Sequence, residues 1–215
     1  MIDVFVGVGS NIEPVVRIGD ALVDLQERFG AIQLSTAYRN PAVGFEGDEF
    51  VNLVVRFRTT VSLSEVLGVL HQIEIRGGKD LAAPRMSAKT IDLDLLLFGD
   101  LIVDNDRMIL PRPESATAAY YVKPLFELAP NRVHPVAGST FTELWSQLES
   151  TAVSLVPEPI VCQPTKTRKR VGPELRVDDF RVDVRLGVPD SERENPQEVS
   201  ISFSVVFSDV PEACR

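Results

Sequence analysis

The chain has 215 residues, of which 44% are hydrophobic and 25% are charged, and its formal net charge at pH 7 is -9. This composition is typical of a folded protein with one medium domain, alone or with a shorter appendage, and it excludes wholesale disorder. The acidic balance argues against a general binder of nucleic acid or anionic membranes, because those partners require a basic surface.

The first quarter of the sequence predicts a strand, a helix and two further strands. Residues 2–8 are mostly β-branched or aromatic and lead into a glycine-containing turn, which favours a strand. Apolar residues then recur at helical spacing up to Phe29, and Gly30 is placed to end that helix. Residues 31–38 and 50–57 are predicted strands, separated by an irregular loop.

The middle of the sequence predicts the second half of the same fold. Ser62 and Glu65 form a capping box at the start of a helix, which ends at Gly77-Gly78. Residues 79–89 are predicted to be a loop and residues 90–98 a strand. The order β-α-β-β-α-β is typical of an α+β, ferredoxin-like antiparallel sheet, here expected with its helices on one side. Two later helices are predicted over residues 124–129 and 141–148, the second capped by Ser139 or Thr140.

The composition changes near Val156. Residues 1–156 are predicted to form the main domain, and the proline-rich, basic residues 157–176 a linker. Residues 177–215 contain two β-like runs, 180–188 and 198–207, which predict a hairpin-like extension. An isolated pair of strands is only marginally stable in water, so this extension is expected to pack on another surface.

The cysteines and the apolar runs indicate the compartment. Cys162 and Cys214 are too few for a disulfide framework and lack metal-binding spacing, which predicts a reducing, cytoplasmic location. Asp3 and the absence of basic residues before residue 10 favour a strand over a signal peptide. The apolar runs are too short to cross a bilayer.

Asp92 and Asp94 give the sharpest chemical signal. Alternate residues of a strand share a face, so both carboxylates are expected to point the same way. Two adjacent carboxylates repel each other unless a cation joins them, and Mg²⁺ typically combines one or two carboxylates with substrate phosphates. From the residues alone, the alternative is an ordinary strand with a polar outer face.

Other candidate residues are individually weak signals. Residues 7–11 (GVGSN) follow a strand but lack the full dinucleotide and P-loop patterns, which favours a tight strand-to-helix turn. Cations cluster before the aspartate pair and could contact phosphate, or could be a solvated loop. His71 is not expected to be a metal ligand, and His134 is expected to be a structural loop residue.

Several motifs, taken together, match one enzyme family. In chain order they are residues 9–11 (GSN), 38–44 (YRNPAVG), 50–52 (FVN), Glu74 with Gly78-Lys79, 90–99 (TIDLDLLLFG), and 124–130 (PLFELAP) with His134-Pro135. Over residues 2–150 the chain resembles 6-hydroxymethyl-7,8-dihydropterin pyrophosphokinase, a family of folate biosynthesis. An ordered set of motifs is far more specific than any one of them.

This resemblance implies binding of ATP, two Mg²⁺ ions and the pterin alcohol, and transfer of pyrophosphate from ATP to that alcohol with release of AMP. It implies that Asp92 and Asp94 hold the metals and that Arg85 and Lys89 complete the catalytic set. The expected nucleotide-binding residues are Glu74, Lys79, Arg85, Lys89 and Arg107. The expected pterin-binding residues are Asn40, Pro41, Ala42, Val43, Phe50, Asn52 and Tyr120.

The sequence departs from the family pattern at several positions. Met86 replaces a usual tryptophan, and Lys89 replaces an arginine, which keeps the charge but loses the planar fork. The family's Pro-His-Pro-Arg block here reads Pro-Arg-Pro-Glu over residues 111–114, and Ala118 aligns with a family arginine. These changes leave two alternatives open: a degenerate homologue that binds pterin or nucleotide with little turnover and associates through its tail, or a Mg²⁺-dependent enzyme that acts on another alcohol.

The C-terminal extension has a resemblance of its own. Residues 177–182, 186–193 and 196–197 resemble the opening of dihydroneopterin aldolase, which acts one step earlier in the same pathway. Glu192 matches a pterin-contacting glutamate, but the later aldolase residues have no counterpart. The extension is therefore expected to lack aldolase activity and to associate with another copy or with an aldolase chain; the alternative is a generic polar hairpin.

Overall fold

The computed structural model describes residues 1–42, 44, 47–79, 87–152, 154–160, 174–184 and 197–206, the last two ranges by their backbone only. The chain divides into two units, Met1–Thr165 and Lys166–Arg215. The strands of the first unit are β1 (Ile2–Ser10), β2 (Ile32–Leu34), β3 (Ala37–Asn40), β4 (Phe50–Thr59), β5 (Asp92–Phe98), β6 (Val103–Asn105), β7 (Met108–Leu110) and β8 (Val156–Glu158). Its helices are α1 (Pro14–Phe29), α2 (Leu63–Arg76), α3 (Glu114–Thr117), α4 (Ala119–Leu128) and α5 (Phe141–Leu148).

A six-stranded antiparallel sheet forms the centre of the first unit. Its strand order is β5-β1-β4-β3-β8, with β2 also paired to β4. The order β5-β1-β4-β3 in a β-α-β-β-α-β chain is the ferredoxin-like arrangement, so the predicted α+β fold class is confirmed.

The predicted strand over residues 31–38 is broken in two. Leu34 pairs with Val55 and Tyr38 pairs with Asn52, so this side of the ladder advances four residues while β4 advances three. The Ser35 hydroxyl accepts the backbone N–H of Val54 at 2.9 Å. A side-chain hydrogen bond thus replaces one ladder bond at the irregularity, which ends β2 before β3 begins.

Two hydrophobic clusters lie on opposite faces of the sheet. On one face, Val4, Val6 and Val8 of β1 pack with the apolar stripes of α1 and α2. On the other, Phe5 packs with Tyr121, Val122 and Leu125 of α4 and with Phe141 and Leu144 of α5. The expectation of helices on one side was therefore wrong for α4 and α5. No local pattern in the sequence indicates that helices also cover the second face, because successive residues of a strand point to opposite faces and both sets are largely apolar.

The sequence signals for helix ends agree with the structure more closely than the expectation about which side the helices lie on. The capping box of Ser62 and Glu65 is present at the start of α2. Thr140, not Ser139, caps α5 and forms a second capping box with Glu143. Pro14 begins α1 ahead of its apolar stripe, as proline suits a first helical turn. The β6–β7 hairpin was missed, although Asn105 Oδ1 accepts the backbone N–H groups of Arg107 and Met108 in its turn.

The boundary after the main sheet lies further along the chain than the linker prediction placed it. β8 pairs with β3, so the predicted linker of residues 157–176 begins within the sheet. In the second unit, β9 (Glu174–Val184) and β10 (Gln197–Val206) form an antiparallel pair. β9 starts earlier than the predicted run of residues 180–188, whose last four residues lie outside the described part of the chain, as does Glu192.

Candidate active site

The register of the sheet places Asp92, Asp94 and Asn52 on one face. Gly9 of β1 pairs with Asp92 on one side and with Asn52 on the other. In the next row, Gly7 pairs with Asp94. Directly paired residues of antiparallel strands project from the same face, so the carboxylates and Asn52 share the face that α4 and α5 also cover. The prediction that both aspartates point one way agrees with this register.

Gly7 and Gly9 leave room on this face of β1 for the side chains of Tyr121 and Asn52. A Cβ atom at Gly9 would lie 2.4 Å from Asn52 Oδ1, and one at Gly7 would lie 2.4 Å from Tyr121 Cε1. Both glycines lie inside β1, so their interpretation as part of a strand-to-helix turn was wrong. Two glycines at alternate positions of a strand leave one stretch of its face without side chains of its own, and this spacing is the sequence signal for a close approach by other groups.

Asp94 is enclosed and has a partner on each oxygen. Its Oδ1 lies 3.1 Å from Nη1 of Arg112, and its Oδ2 accepts the Tyr121 hydroxyl at 2.7 Å. Burial, and then the charge of Asp92, raise the pKa of Asp94 to about 6, although Arg112 and Tyr121 oppose this rise. The ionised carboxylate is therefore short of positive charge, and a cation bound here would stabilise it.

Asp92 faces a second pair of charges at the end of α2. Lys79 Nζ lies 2.8 Å from Oε2 of Glu74 and 3.9 Å from Oδ1 of Asp92. Glu74 is only 5% exposed, and its Oε1 accepts the backbone N–H of Leu93 at 3.0 Å. Glu74 thus reaches the site through Lys79, which it holds beside Asp92.

The donor set suits a cation that the protein binds together with phosphates. In the described part of the chain, no three or more His, Cys, Asp or Glu side chains are grouped closely enough to hold a metal by themselves. Asp92 and Asp94 supply oxygen donors on one face, and Asp94 lacks compensating charge. Two carboxylates completed by substrate phosphates are the usual protein contribution to a Mg²⁺ site, so these residues fit magnesium.

Two cavities lie near the carboxylates: Asp94 lines one, and Lys79, whose Nζ lies 3.9 Å from Asp92, lines the other. One of about 570 Å³ is lined by Asp94, Arg107 and Arg112 and by residues of the β6–β7 hairpin. The other, of about 260 Å³, is lined by Lys79, Lys89 and their neighbours. The structure therefore places three of the predicted nucleotide-binding cations on these two cavities. Arg85 lies outside the described residues.

The predicted pterin residues lie along the other end of the same face. Asn52 Nδ2 donates to Asn40 Oδ1 at 2.8 Å, and Asn40 Nδ2 donates to the carbonyl of Pro41 at 2.9 Å. Both asparagines are buried, which leaves a fixed pair of amides. Phe50 lies two residues before Asn52 on β4 and so shares its face.

Two further predicted pterin residues, Ala42 and Tyr120, lie within the described part of the chain. Ala42 is half-buried beyond Pro41. Tyr120 is half-buried and stands edge-on to Tyr121, with ring centroids 4.7 Å apart. Val43 lies outside the described residues.

No motif or periodicity of the sequence indicated the contacts of Arg112 and Tyr121 with Asp94. In the sequence, Arg112 is only a departure from the family pattern. Its backbone is nevertheless firmly held, because its N–H donates to Leu96 O at 2.9 Å and its carbonyl accepts the Ser115 hydroxyl. Ser115 in turn contacts Nε2 of the buried His134 at 2.9 Å. Burial, followed by the charge of Arg132, lowers the pKa of His134, which agrees with its predicted structural role.

Asn11 joins the two ends of the site. Its Oδ1 accepts the backbone N–H of Lys89 at 2.7 Å, and its Nδ2 donates to the carbonyl of Asp48 at 3.2 Å. Its own backbone N–H donates to Lys89 O at 3.1 Å. One side chain thus anchors both the segment before β4 and the segment before β5.

A ferredoxin-like sheet with a carboxylate pair on one face, close to cavities that carry cations, suits the positioning and charge neutralisation that phosphoryl transfer requires. The sequence profile of the 7,8-dihydro-6-hydroxymethylpterin-pyrophosphokinase (HPPK) family matches residues 5–130. The chain belongs to this family, whose members are pterin pyrophosphokinases of folate biosynthesis.

Named relatives cover most of the first unit. A protein of Synechocystis named 2-amino-4-hydroxy-6-hydroxymethyldihydropteridine pyrophosphokinase is 32% identical over 151 residues, which are 69% of this chain and 77% of the relative. A protein of the same name from Pseudomonas aeruginosa is 35% identical over 135 residues, or 60% of this chain and 81% of the relative.

Solved structures support the same fold. The crystal structure of Plasmodium falciparum HPPK-DHPS with STZ-DHP has a TM-score of 0.54 and 14% identity, and the match covers 69% of this chain. The chain spans 42% of that longer protein. At this identity the likeness shows the fold alone. Within the described residues, no helix is both long and apolar enough to cross a membrane.

Proposed function

We propose that this protein transfers the β,γ-pyrophosphoryl unit of ATP to the hydroxymethyl group of 6-hydroxymethyl-7,8-dihydropterin, with two Mg²⁺ ions held by Asp92 and Asp94. The observation that carries this proposal is the row Asp92, Gly9 and Asn52 across three strands. It sets Asp92 and Asn52 on the strands at either side of Gly9, so a phosphate chain held at the carboxylate and a flat ring held at the amide would be neighbours.

The reaction is a single displacement in which atoms and charge balance. The pterin hydroxyl oxygen forms a bond to the β-phosphorus, and the bond from that phosphorus to the oxygen bridging the α-phosphorus breaks. AMP leaves with the bridging oxygen, and the hydroxyl proton passes to solvent. Such a transfer depends on positioning and charge neutralisation rather than on covalent chemistry of the protein. Bound magnesium supplies part of that charge neutralisation.

The cationic side chains around the carboxylates suit the triphosphate of ATP. Arg107 and Arg112 on the larger cavity, and Lys79 and Lys89 on the smaller one, offer cations to a triphosphate. Arg85 is assigned to the same task by its place in the motif. Glu74 contributes by holding Lys79.

The amides of Asn40 and Asn52 offer hydrogen bonds to the pterin ring, with Phe50 and Tyr120 as aromatic walls and the backbone of residues 41–43 along its edge. These are the groups that a flat heterocycle with several donors and acceptors requires, since its buried polar atoms must be paired.

The test is AMP release from ATP in the presence of Mg²⁺ and the pterin alcohol. We expect AMP and pterin pyrophosphate in equal amounts, no AMP with other alcohols, and none after removal of Mg²⁺ by a chelator. Turnover with an unrelated alcohol would assign a different acceptor. Binding of both substrates without turnover would favour the degenerate homologue, which associates through its tail.

We further propose that the C-terminal hairpin associates with a second copy of this chain. β9 and β10 pair only with each other within the described residues, and a lone pair of strands is marginally stable in water. Truncation after Thr165, the boundary between the two units, should leave pyrophosphokinase activity unchanged and lower the oligomeric state in light scattering. A full-length protein that is monomeric at micromolar concentration would contradict this proposal.

A further inference from the structure

We propose that Tyr121 is a positioning residue for the metal site: its enclosed hydroxyl fixes one oxygen of Asp94 so that the other oxygen is presented to the cation. This inference rests on the proposed function, because it assumes that Asp94 is a magnesium ligand. It concerns a residue for which the sequence motifs indicated no role.

The hydroxyl of Tyr121 has little freedom to move. The residue is 6% exposed, and its ring packs in the cluster formed by α4, α5 and the sheet. The ring lies directly over Gly7, where even a methyl group would clash with Cε1. The hydroxyl donates a hydrogen bond to Oδ2 of Asp94 at 2.7 Å.

The partner on the other oxygen of Asp94 is of a different kind. The side chain of Arg112 is 33% exposed, and its Nε lies 3.4 Å from a carboxylate oxygen of Glu114 as well. Arg112 can therefore give up Oδ1 and keep an anionic partner. A guanidinium repels an incoming divalent cation, whereas a neutral hydroxyl on the far oxygen does not.

These two contacts divide the carboxylate into a fixed side and an exchangeable side. Asp92 lies two residues away on the same face, and like charges drive the two side chains apart unless they are held. The hydrogen bond from Tyr121 to Oδ2 prevents rotation of the Asp94 carboxylate. Arg112 contacts Oδ1 until a cation takes the place of its guanidinium. Outer partners that orient a metal-binding carboxylate commonly affect metal affinity by about ten-fold or more.

The chain offers a matched control for removing this hydroxyl. Tyr38 is also buried, at 7% exposed, and its hydroxyl donates to the carboxylate of Glu127. Tyr121→Phe and Tyr38→Phe thus each delete one oxygen that serves a carboxylate, and only the first serves the metal site. Mn²⁺ is the probe, titrated by electron paramagnetic resonance in the presence of a nonhydrolysable ATP analogue.

We expect Tyr121→Phe to bind Mn²⁺ about ten-fold more weakly than the unmodified protein, and Tyr38→Phe to bind it equally well. The KM for the pterin should stay unchanged in Tyr121→Phe while the Mg²⁺ concentration for half-maximal rate rises. Equal Mn²⁺ affinity in a folded Tyr121→Phe protein would overturn the inference. Absence of Mn²⁺ binding by the unmodified protein would instead overturn the proposed function.

A second pair of variants decides the question if Tyr121→Phe does not fold. Gly7→Ala displaces the tyrosine ring and keeps its hydroxyl, whereas Gly68→Ala adds a methyl group in α2 with nothing within 4 Å. Weaker Mn²⁺ binding in Gly7→Ala than in Gly68→Ala supports the inference. Equal binding by these two proteins overturns it.

Discussion

The charge imbalance at Asp94 predicts that Asp94→Asn stabilises the metal-free protein while it abolishes activity. The amide that this substitution introduces keeps an oxygen that can accept the Tyr121 hydroxyl, and it resembles the protonated carboxyl in shape. Arg112 loses a partner but retains Glu114 within 3.4 Å. The substitution therefore removes the buried negative charge, and with it a metal ligand, without opening a cavity.

The magnitude follows from the pKa of Asp94. A rise from 3.8 to about 6 makes the ionised, 17% exposed side chain less favourable in the folded protein. The cost is about 3 kcal/mol. Because the folded-state pKa lies above the unfolded value, the folded protein retains the proton more strongly. Stability contributed by this proton is complete below pH 4, falls as the pH rises from about 4 to about 6, and is absent at pH 7.

Urea unfolding followed by the fluorescence of Trp145 measures the effect. In chelator at pH 7, Asp94→Asn should have a free energy of unfolding about 3 kcal/mol above that of the unmodified protein, and the gain should vanish near pH 4. Mg²⁺ with a nonhydrolysable ATP analogue should stabilise only the unmodified protein. The control is Asp100→Asn, at a side chain that is 86% exposed. An Asp94→Asn protein less stable at pH 7 would refute the reasoning, since attraction to Arg112 would then outweigh burial.

Two further predictions concern the asparagines. Asn52→Ala removes the amide paired with Asn40 and should weaken pterin binding by about 1–3 kcal/mol with little effect on ATP, as measured by calorimetry; unchanged pterin affinity would remove Asn52 from the site. Asn11→Ala removes the bonds to Lys89 and Asp48, and should speed hydrogen exchange at the Lys89 amide while the amides of β1 stay protected. Unchanged exchange at Lys89 would show that other contacts hold that segment.

Local patterns in the sequence were sufficient for much of the framework. The capping box of Ser62 and Glu65 depends on two residues three apart, and the shared face of Asp92 and Asp94 depends on strand alternation. Both features depend on residues only two or three positions apart, so both can be inferred from the sequence without knowledge of the fold. The ordered motifs added the family, which the profile match over residues 5–130 confirms.

The environment of the carboxylates depended on contacts between distant segments. Tyr121 lies 27 residues from Asp94 in sequence, and no periodicity indicates that the helix bearing it returns over Gly7. The split between β2 and β3 depends on a hydrogen bond from the backbone of β4 to the Ser35 hydroxyl. Helices α4 and α5 cover the second face of the sheet, and strand alternation alone does not show which face a helix covers, since both faces are apolar. The sequence determined which side chains could perform the chemistry, because residue types and their local spacing are fixed by the sequence itself. Only the tertiary structure decided which groups enclose them, because burial, charge pairing and close contact belong to the packed sheet and helices.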